Sequence, residues 1–491
     1  MLRDLAHRAV DRRTPWPEPL VTGLGETSHH VFDLGIGRLG PVALPHHHGR
    51  RAGLTIGHPA HVVLVVPVGE ARRFTQLAIV DVMPGHRVQG TVALMVSQVA
   101  PDELLGLMVD LRRELHHHPE LGLELPRTQA AVLARLEGIE GLEVRVGEAT
   151  TSIVADLCTG DGPTLLLRGD MDALPMSEDT GVDFASEVDG RMHACGHDAH
   201  TSMLVGAAHA LAVRRDEFSG TVRFMFQPGE EGHAGAAVMI DEGVLDGVDA
   251  AFALHVTPNL PTGWVASRAG AMLASADAFT VVVEGKGGHA SMPHHAVDPI
   301  TVAAEIVLGL QTMVTRTIDV FDPAVITIAR IAAGTTSNVI PATAEMEGTL
   351  RAVSEASRSS AMTGIQTVAE GIAAAHGASA RVEIDAGYPV TINHGGFATF
   401  AAEVIGSVDS VDAYVEAPAP VMGAEDFSYV LQNVPGSMAF IGVCPPEMDF
   451  STAPACHSNK MTLHEPAMAI GVDIHTAVAL AFFSDPAAAT G

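Results

Sequence analysis

Three short apolar runs, TLLL at 164–167, VRFMF at 222–226 and AAFAL at 250–254, each break off into titratable residues: RGDMD, QPGEEG and His255. Strands that read as near-continuous apolar runs are covered on both faces, so these belong to an open sheet flanked by helices. The intervening stretches supply those helices. DELLGLMVDLRRELHHH carries an apolar stripe of Leu104, Leu105, Met108, Val109 and Leu111; RTQAAVLARLEG follows; DAHTSMLVGAAHALAVRR begins with Asp198 as its expected cap. In an α/β sheet the carboxyl ends of the strands are where active sites gather. The polar residues at three strand ends are therefore expected along one edge.

The helix DAHTSMLVG starts inside HACGHDAH, residues 193–200, where three histidines, a cysteine and an aspartate fall within eight positions. Thiolate, imidazole and carboxylate together are the donor set of a divalent transition metal. The chain has only four cysteines, Cys158, Cys195, Cys444 and Cys456, too few and too scattered for a disulfide framework. MLRDLAHRAVDRRTPW lacks the apolar run of a signal peptide, and HVVLVVPV is far shorter than a membrane span. The expected compartment is the cytoplasm, with no membrane anchor.

Charge divides the chain. Residues 1–98 hold ten Arg and no Lys against seven Asp or Glu, a net +3, and the total of −30 leaves −33 for the rest. So acidic a body repels phosphate backbones and anionic lipid, which excludes nucleic acid as a partner and favours small molecules or peptides. At 491 residues and 47% apolar content the chain exceeds one ordinary domain. Residues 1–98 read as an N-terminal extension, either a small β-rich module with VVLVVPVG, RFTQLAIVDV and VQGTVALMV as strands or an upstream segment with no role in the chemistry, since Met95 lies just ahead of the organised region; HHH at 46–48 reads as surface.

Between 277 and 388 the alternation changes to strand, helix, strand, strand, helix, strand: DAFTVVVEG, DPITVAAEIVLGLQTMV, AVITIARIAAG, AEMEGTLRAV, EASRSSAMTGIQTVAEGIAAAH and SARVEIDAG. This is the order of a ferredoxin-like unit, which closes on itself. It reads as an α+β domain inserted into an α/β domain made of 99–276 and 389–491.

Taken in order, LRRELHHHPELGLE, RGDMDALP, MHACGHDAHT, FQPGEEGHAGAAVMI, LHVTPNLPTG, GKGGHASMPH, TSNVIPATAEMEGTLR, MGAEDFS and CHS resemble the motif series of the M20 metallopeptidase family. The branch they are most similar to is the N-acyl-amino-acid amidohydrolases, which includes hippurate hydrolases and plant auxin-conjugate hydrolases. The resemblance covers about 100–485. It implies a zinc-peptidase-like catalytic domain whose inserted lid also makes a homodimer.

The resemblance further implies that Cys195, His197, Glu231, His255 and His457 ligate two divalent ions, with zinc leading and manganese, cobalt or nickel as substitutes. Asp170, Asp172, His193, Asp198 and His200 would orient these ligands through hydrogen bonds. Glu230 would be the base that takes a proton from water and passes it to the departing amine. His289 resembles the histidine that reaches a partner subunit's site to stabilise the oxyanion, and Asn338 and Arg351 resemble residues that hold the substrate's free carboxylate. The expected reaction is hydrolysis of an N-acyl-amino acid. A dipeptidase or carboxypeptidase is the alternative, and a silent binding protein would be expected to have lost a ligand or the base. A cysteine hydrolase built on Cys195 fits less well, since its neighbours form a ligand set.

Overall fold

The structure, a computed structural model, describes residues 60–66, 76–82 and 101–490. Thr14–Ser97 and Gln98–Gly491 form separate compact units. In the first, Ala60–Val66 and Gln76–Val82 make an antiparallel hairpin in register from Ala60 opposite Val82 to Val66 opposite Gln76. Two of the three strands read there are thus present as strands; VQGTVALMV, the 46–48 histidines and Met95 lie outside the described residues.

In the second unit the expected α/β sheet has eight strands among the described residues. Their order is Ala413–Glu416, Trp264–Ser267, Gly436–Cys444, Ala250–Pro261, Thr164–Asp170, Thr221–Gln227, Ile153–Cys158 and Leu142–Val146. Thr164–Asp170 sits between Thr221–Gln227 and Ala250–Pro261, parallel to both, while Ile153–Cys158 and Leu142–Val146 continue antiparallel. Alternate residues serve opposite faces, as the strand period demands. Leu165, Leu167, Phe224, Phe226 and Phe252 pack into the larger core with the helices Pro101–His117, His197–Val213 and Ala467–Ser484. Leu166, Met225, Ala251 and Ala253 pack on the other side with Met239 and Phe427. Ala467–Ser484 is long and apolar enough to cross a membrane by length and composition, yet its Met468, Val472, Ile474, Val478 and Phe482 are buried in this core.

The chain leaves this body through Gly270–Leu273 and returns through Thr391–Asn393, and these two strands pair antiparallel. Between them lies an antiparallel sheet ordered Ala324–Ala333, Thr343–Ala352, Asp277–Glu284, Ser379–Asp385, the strand order of a ferredoxin-like fold. Two helices cover one face. Pro299–Thr317 is capped by Asp298, which accepts from Ile300 N–H, and Glu355–Ala375 by Ser354, which accepts from Ser357 N–H. Val302, Ile306, Leu310 and Met313, then Ala361, Ile365, Ala369 and Ala373, follow helical spacing onto Phe279, Val281, Met346 and Leu350.

Two local expectations are corrected. AAFALH does not end at His255: the strand runs from Ala250 to Pro261, because Val256 and Leu260 keep it in the core. Asp198 does not cap its helix: Gly196, at φ 81°, occupies that position, and Asp198 lies inside the first turn.

Candidate metal centre

The carboxyl ends of Thr164–Asp170 and Thr221–Gln227, the middle of Ala250–Pro261 and the start of His197–Val213 converge with the loop holding His457. Donor atoms of Cys195, His197 and His255 lie within 4.8 Å of one another, and so do those of Cys195, Glu231 and His457. The five ligands expected from the motifs thus fall into two overlapping groups that share Cys195. Cys195 Sγ is 3.5 Å from His255 Nε2, and Glu231 Oε1 is 3.0 Å from His457 Nε2. His457 takes φ 68°, unusual for a residue with a side chain, so its ring is aimed by a backbone that elsewhere favours glycine.

The donor set fits cations. Both ring nitrogens of His197 are buried and make no hydrogen bond, although Asp172 and Asp170 stand 3.5 and 3.6 Å away. Buried polar atoms are normally paired, so two orphaned nitrogens facing a thiol and carboxylates await a cation. Burial works against a charged His197, but Asp170 and Asp172 outweigh it and hold its pKa well above the usual range. His255 is the opposite case: burial, then the neighbouring His200, keep it well below. Its Nδ1 donates to Val256 O at 2.7 Å, which leaves the Nε2 lone pair toward Cys195.

Asp170, Asp172 and His200 stand around this set. His200 Nδ1 donates to Asp170 at 2.6 Å, and its Nε2 accepts from Val256 N–H at 2.8 Å, so neither nitrogen is left to bind a metal. Asp172 accepts from the backbone N–H groups of Glu230 and Glu231, at 2.9 and 3.0 Å. That pair of bonds fixes the turn after Thr221–Gln227 and the backbone of both glutamates. Glu230 is buried, and burial, then the carboxylates of Glu425 and Asp426, push its pKa well above the ordinary carboxylate range.

His193 and Asp198 depart from the orienting role. Asp198 is saturated by His116 Nδ1 at 2.7 Å, Arg112 Nε at 3.2 Å and Ala199 N–H, so it anchors the first helix instead of a ligand. His193 is buried with neither nitrogen hydrogen-bonded; the neighbouring Asp198 carboxylate is already taken. Among the described residues no hydrogen bond or ion pair links His289, Asn338 or Arg351 to the cluster. His289 is exposed in a small antiparallel ladder with Val339–Ile340, exposed Asn338 adjoins that ladder and its O accepts from Ala290 N–H, and Arg351 is half-buried on the lid sheet.

Several residues of the site had no role assigned from sequence. Arg168, fully buried, donates to Gln227, Asp170, Glu425 and Asp426 at 2.5–3.1 Å, tying RGDMD to AEDF. Asp426 N–H reaches Glu230 Oε1 at 3.4 Å, and Tyr388 Oη donates to Glu230 O. Arg112 and His116 could have been found: they stand four apart on the stripe that buries Met108 and Leu115. Arg168, Glu425 and Asp426 lay within the quoted motifs, but nothing local shows which groups they meet.

A sequence model of Peptidase family M20/M25/M40 matches residues 166–481. The N-acetylcysteine deacetylase of Bacillus subtilis (strain 168) is 40% identical over 364 residues, 74% of this chain and 93% of that protein. IAA-amino acid hydrolase ILR1-like 2 of Arabidopsis thaliana is 38% identical over 389 residues, 78% of this chain and 87% of that protein. Among solved structures, a dinuclear metal binding peptidase of the M20 family from Bacillus subtilis superposes with TM-score 0.68 at 36% identity, covering 78% of this chain and 99% of that one.

Proposed function

The chain belongs to peptidase family M20/M25/M40, and from that premise we propose that Cys195, His197, Glu231, His255 and His457 hold two divalent ions at which Glu230 serves the hydrolysis. The reaction is metal-dependent cleavage of the amide bond of an N-acyl-amino acid, releasing a carboxylate and a free amino acid. The observation that carries this reading is the pair of overlapping donor groups sharing Cys195, with the buried Glu230 carboxylate beside them.

When bound, a pair of divalent ions polarises the amide carbonyl and makes water acidic enough to yield a nucleophile near neutral pH. Glu230 does the proton work. Its raised proton affinity suits a group that takes a proton from the attacking water and then delivers it to the amine nitrogen as the C–N bond breaks. Asp172 holds Glu230 and Glu231 in register, and Asp426 N–H steadies Glu230 from behind. Arg351 and Asn338 bind the substrate's free carboxylate, and His289 stabilises the oxyanion. Because His289 is exposed on the lid, we assign it to the site of a second copy, in a homodimer formed through the lid. The edge strand Ala324–Ala333, with Val325 and Ile331 exposed, supports that assembly. A thiolate among the donors favours zinc, ahead of manganese, cobalt or nickel. The cytoplasm is the proposed compartment, supported by four cysteines that are all free.

The test is a panel of N-acetyl, N-benzoyl and dipeptide substrates, assayed on metal-depleted protein reconstituted ion by ion. N-acyl-amino acids are cleaved and dipeptides are not. Dipeptide cleavage in preference would make the enzyme a peptidase, and no turnover with any ion would leave a silent binding protein.

A further inference from the structure

A second thiol stands against the centre. His457 N–H donates to Ala194 O at 2.8 Å, which lays the segment of Cys456 beside that of Cys195. Cys456 Sγ is 4.0 Å from the carbonyl oxygen of Cys195 and 3.7 Å from that of Val256, so the second thiol lies against the backbone that carries the first. Both are free. Cys195 is buried, whereas Cys456 is half-buried beside exposed His457, so Cys456 is the sulfur that a small reagent meets first.

We propose that Cys195 and Cys456 form a thiol–disulfide modification site, closed into a disulfide by a low-molecular-weight disulfide whenever no metal ion engages Cys195. Cys456 loses its proton and attacks one sulfur of the small disulfide; a Cys456 mixed disulfide forms and one small thiol leaves, carrying that proton. Cys195 then loses its proton and attacks Cys456 Sγ; the Cys195–Cys456 bond forms and the second small thiol leaves with it. Two electrons pass from the cysteine pair to the small disulfide, which ends as two thiols. Neighbouring segments already joined by a backbone hydrogen bond favour the second step, because little chain entropy remains to be lost. Metal binding and disulfide formation need the same sulfur, so each excludes the other.

Bond formation stands apart from the function proposed above; only its effect on metal uptake rests on Cys195 as a ligand. The full chain is stripped with chelator, treated with oxidised glutathione and mapped by non-reducing peptide mass analysis, beside zinc-loaded protein treated alike. The stripped protein yields a linked Cys195–Cys456 peptide pair and takes up no zinc by elemental analysis until dithiothreitol is added; the zinc-loaded protein yields neither effect. Cys456→Ser treated the same way keeps its zinc uptake. Glutathione found on exposed Cys158 alone, or the linkage forming equally in zinc-loaded protein, overturns the proposal. A linkage with undiminished zinc uptake supports the bond and removes Cys195 from the ligand set.

Discussion

Asp172 grips Glu230 by its backbone: Oδ1 accepts the Glu230 N–H at 2.9 Å, while Oδ2 takes the next N–H, that of Glu231. One buried carboxylate therefore orients both the proposed base and a proposed metal ligand. Asp172→Asn keeps the size but turns one acceptor into a donor that faces an N–H. The variant is expected to lose roughly 10- to 100-fold in activity, as removal of such supporting partners does, together with some metal. Steady-state kinetics beside elemental analysis check this, and wild-type values for both would remove the role.

Glu230→Gln deletes the proposed proton carrier and none of the proposed ligands. Turnover should fall by about 10²- to 10⁴-fold while metal content stays at the wild-type level. Substantial residual activity would sink the assignment.

Cys195→Ser acts on the metal instead. A hydroxyl is a far poorer donor than a thiolate, and Cys195 belongs to both donor groups, so occupancy should drop at both positions. A variant that retains full metal content would show that Cys195 is no ligand.

The His116 pair yields a pH dependence. Burial opposes a charged His116, but its bonds to Asp198 and Glu178 prevail and raise its pKa from 6.5 to about 9. A raised histidine pKa contributes stability that is full below the unfolded value and is lost as pH rises through the folded one. The melting temperature of the wild type should therefore exceed that of His116→Gln by a constant margin below pH 6.5, and the margin should shrink as pH climbs through about 9. A margin that grows on that climb would contradict the charged pair.

A chain begun at Met95 keeps every residue assigned to the site and the lid, and Thr14–Ser97 clusters as a unit of its own. It should be soluble and hydrolyse substrate as the full chain does. Aggregation or loss of activity would mean that the N-terminal segment covers apolar surface of the catalytic body.

The sequence by itself determined what repeats locally or is written in contiguous motifs. Apolar runs such as TLLL and VRFMF declare buried strands, the 3.6-residue stripe of Val302, Ile306 and Leu310 declares a helix, and the six-element order between 277 and 388 declares the ferredoxin-like lid. The density of HACGHDAH announces metal chemistry for the same reason: eight adjacent residues cannot be far apart. Only the tertiary structure decided which distant groups share a partner. Arg168 meets Glu425 across 257 positions and Cys456 meets Cys195 across 261, because the sheet order sets the late strand Gly436–Cys444 beside Ala250–Pro261. Asp198 looked like a helix cap because capping is a local rule; the structure gives its carboxylate to Arg112 and His116, since a buried charge takes the nearest cation that folding supplies. Periodicity and spacing act along the chain, whereas the pairing of buried charges depends on which strands become neighbours, and that is settled by packing both faces of the sheet.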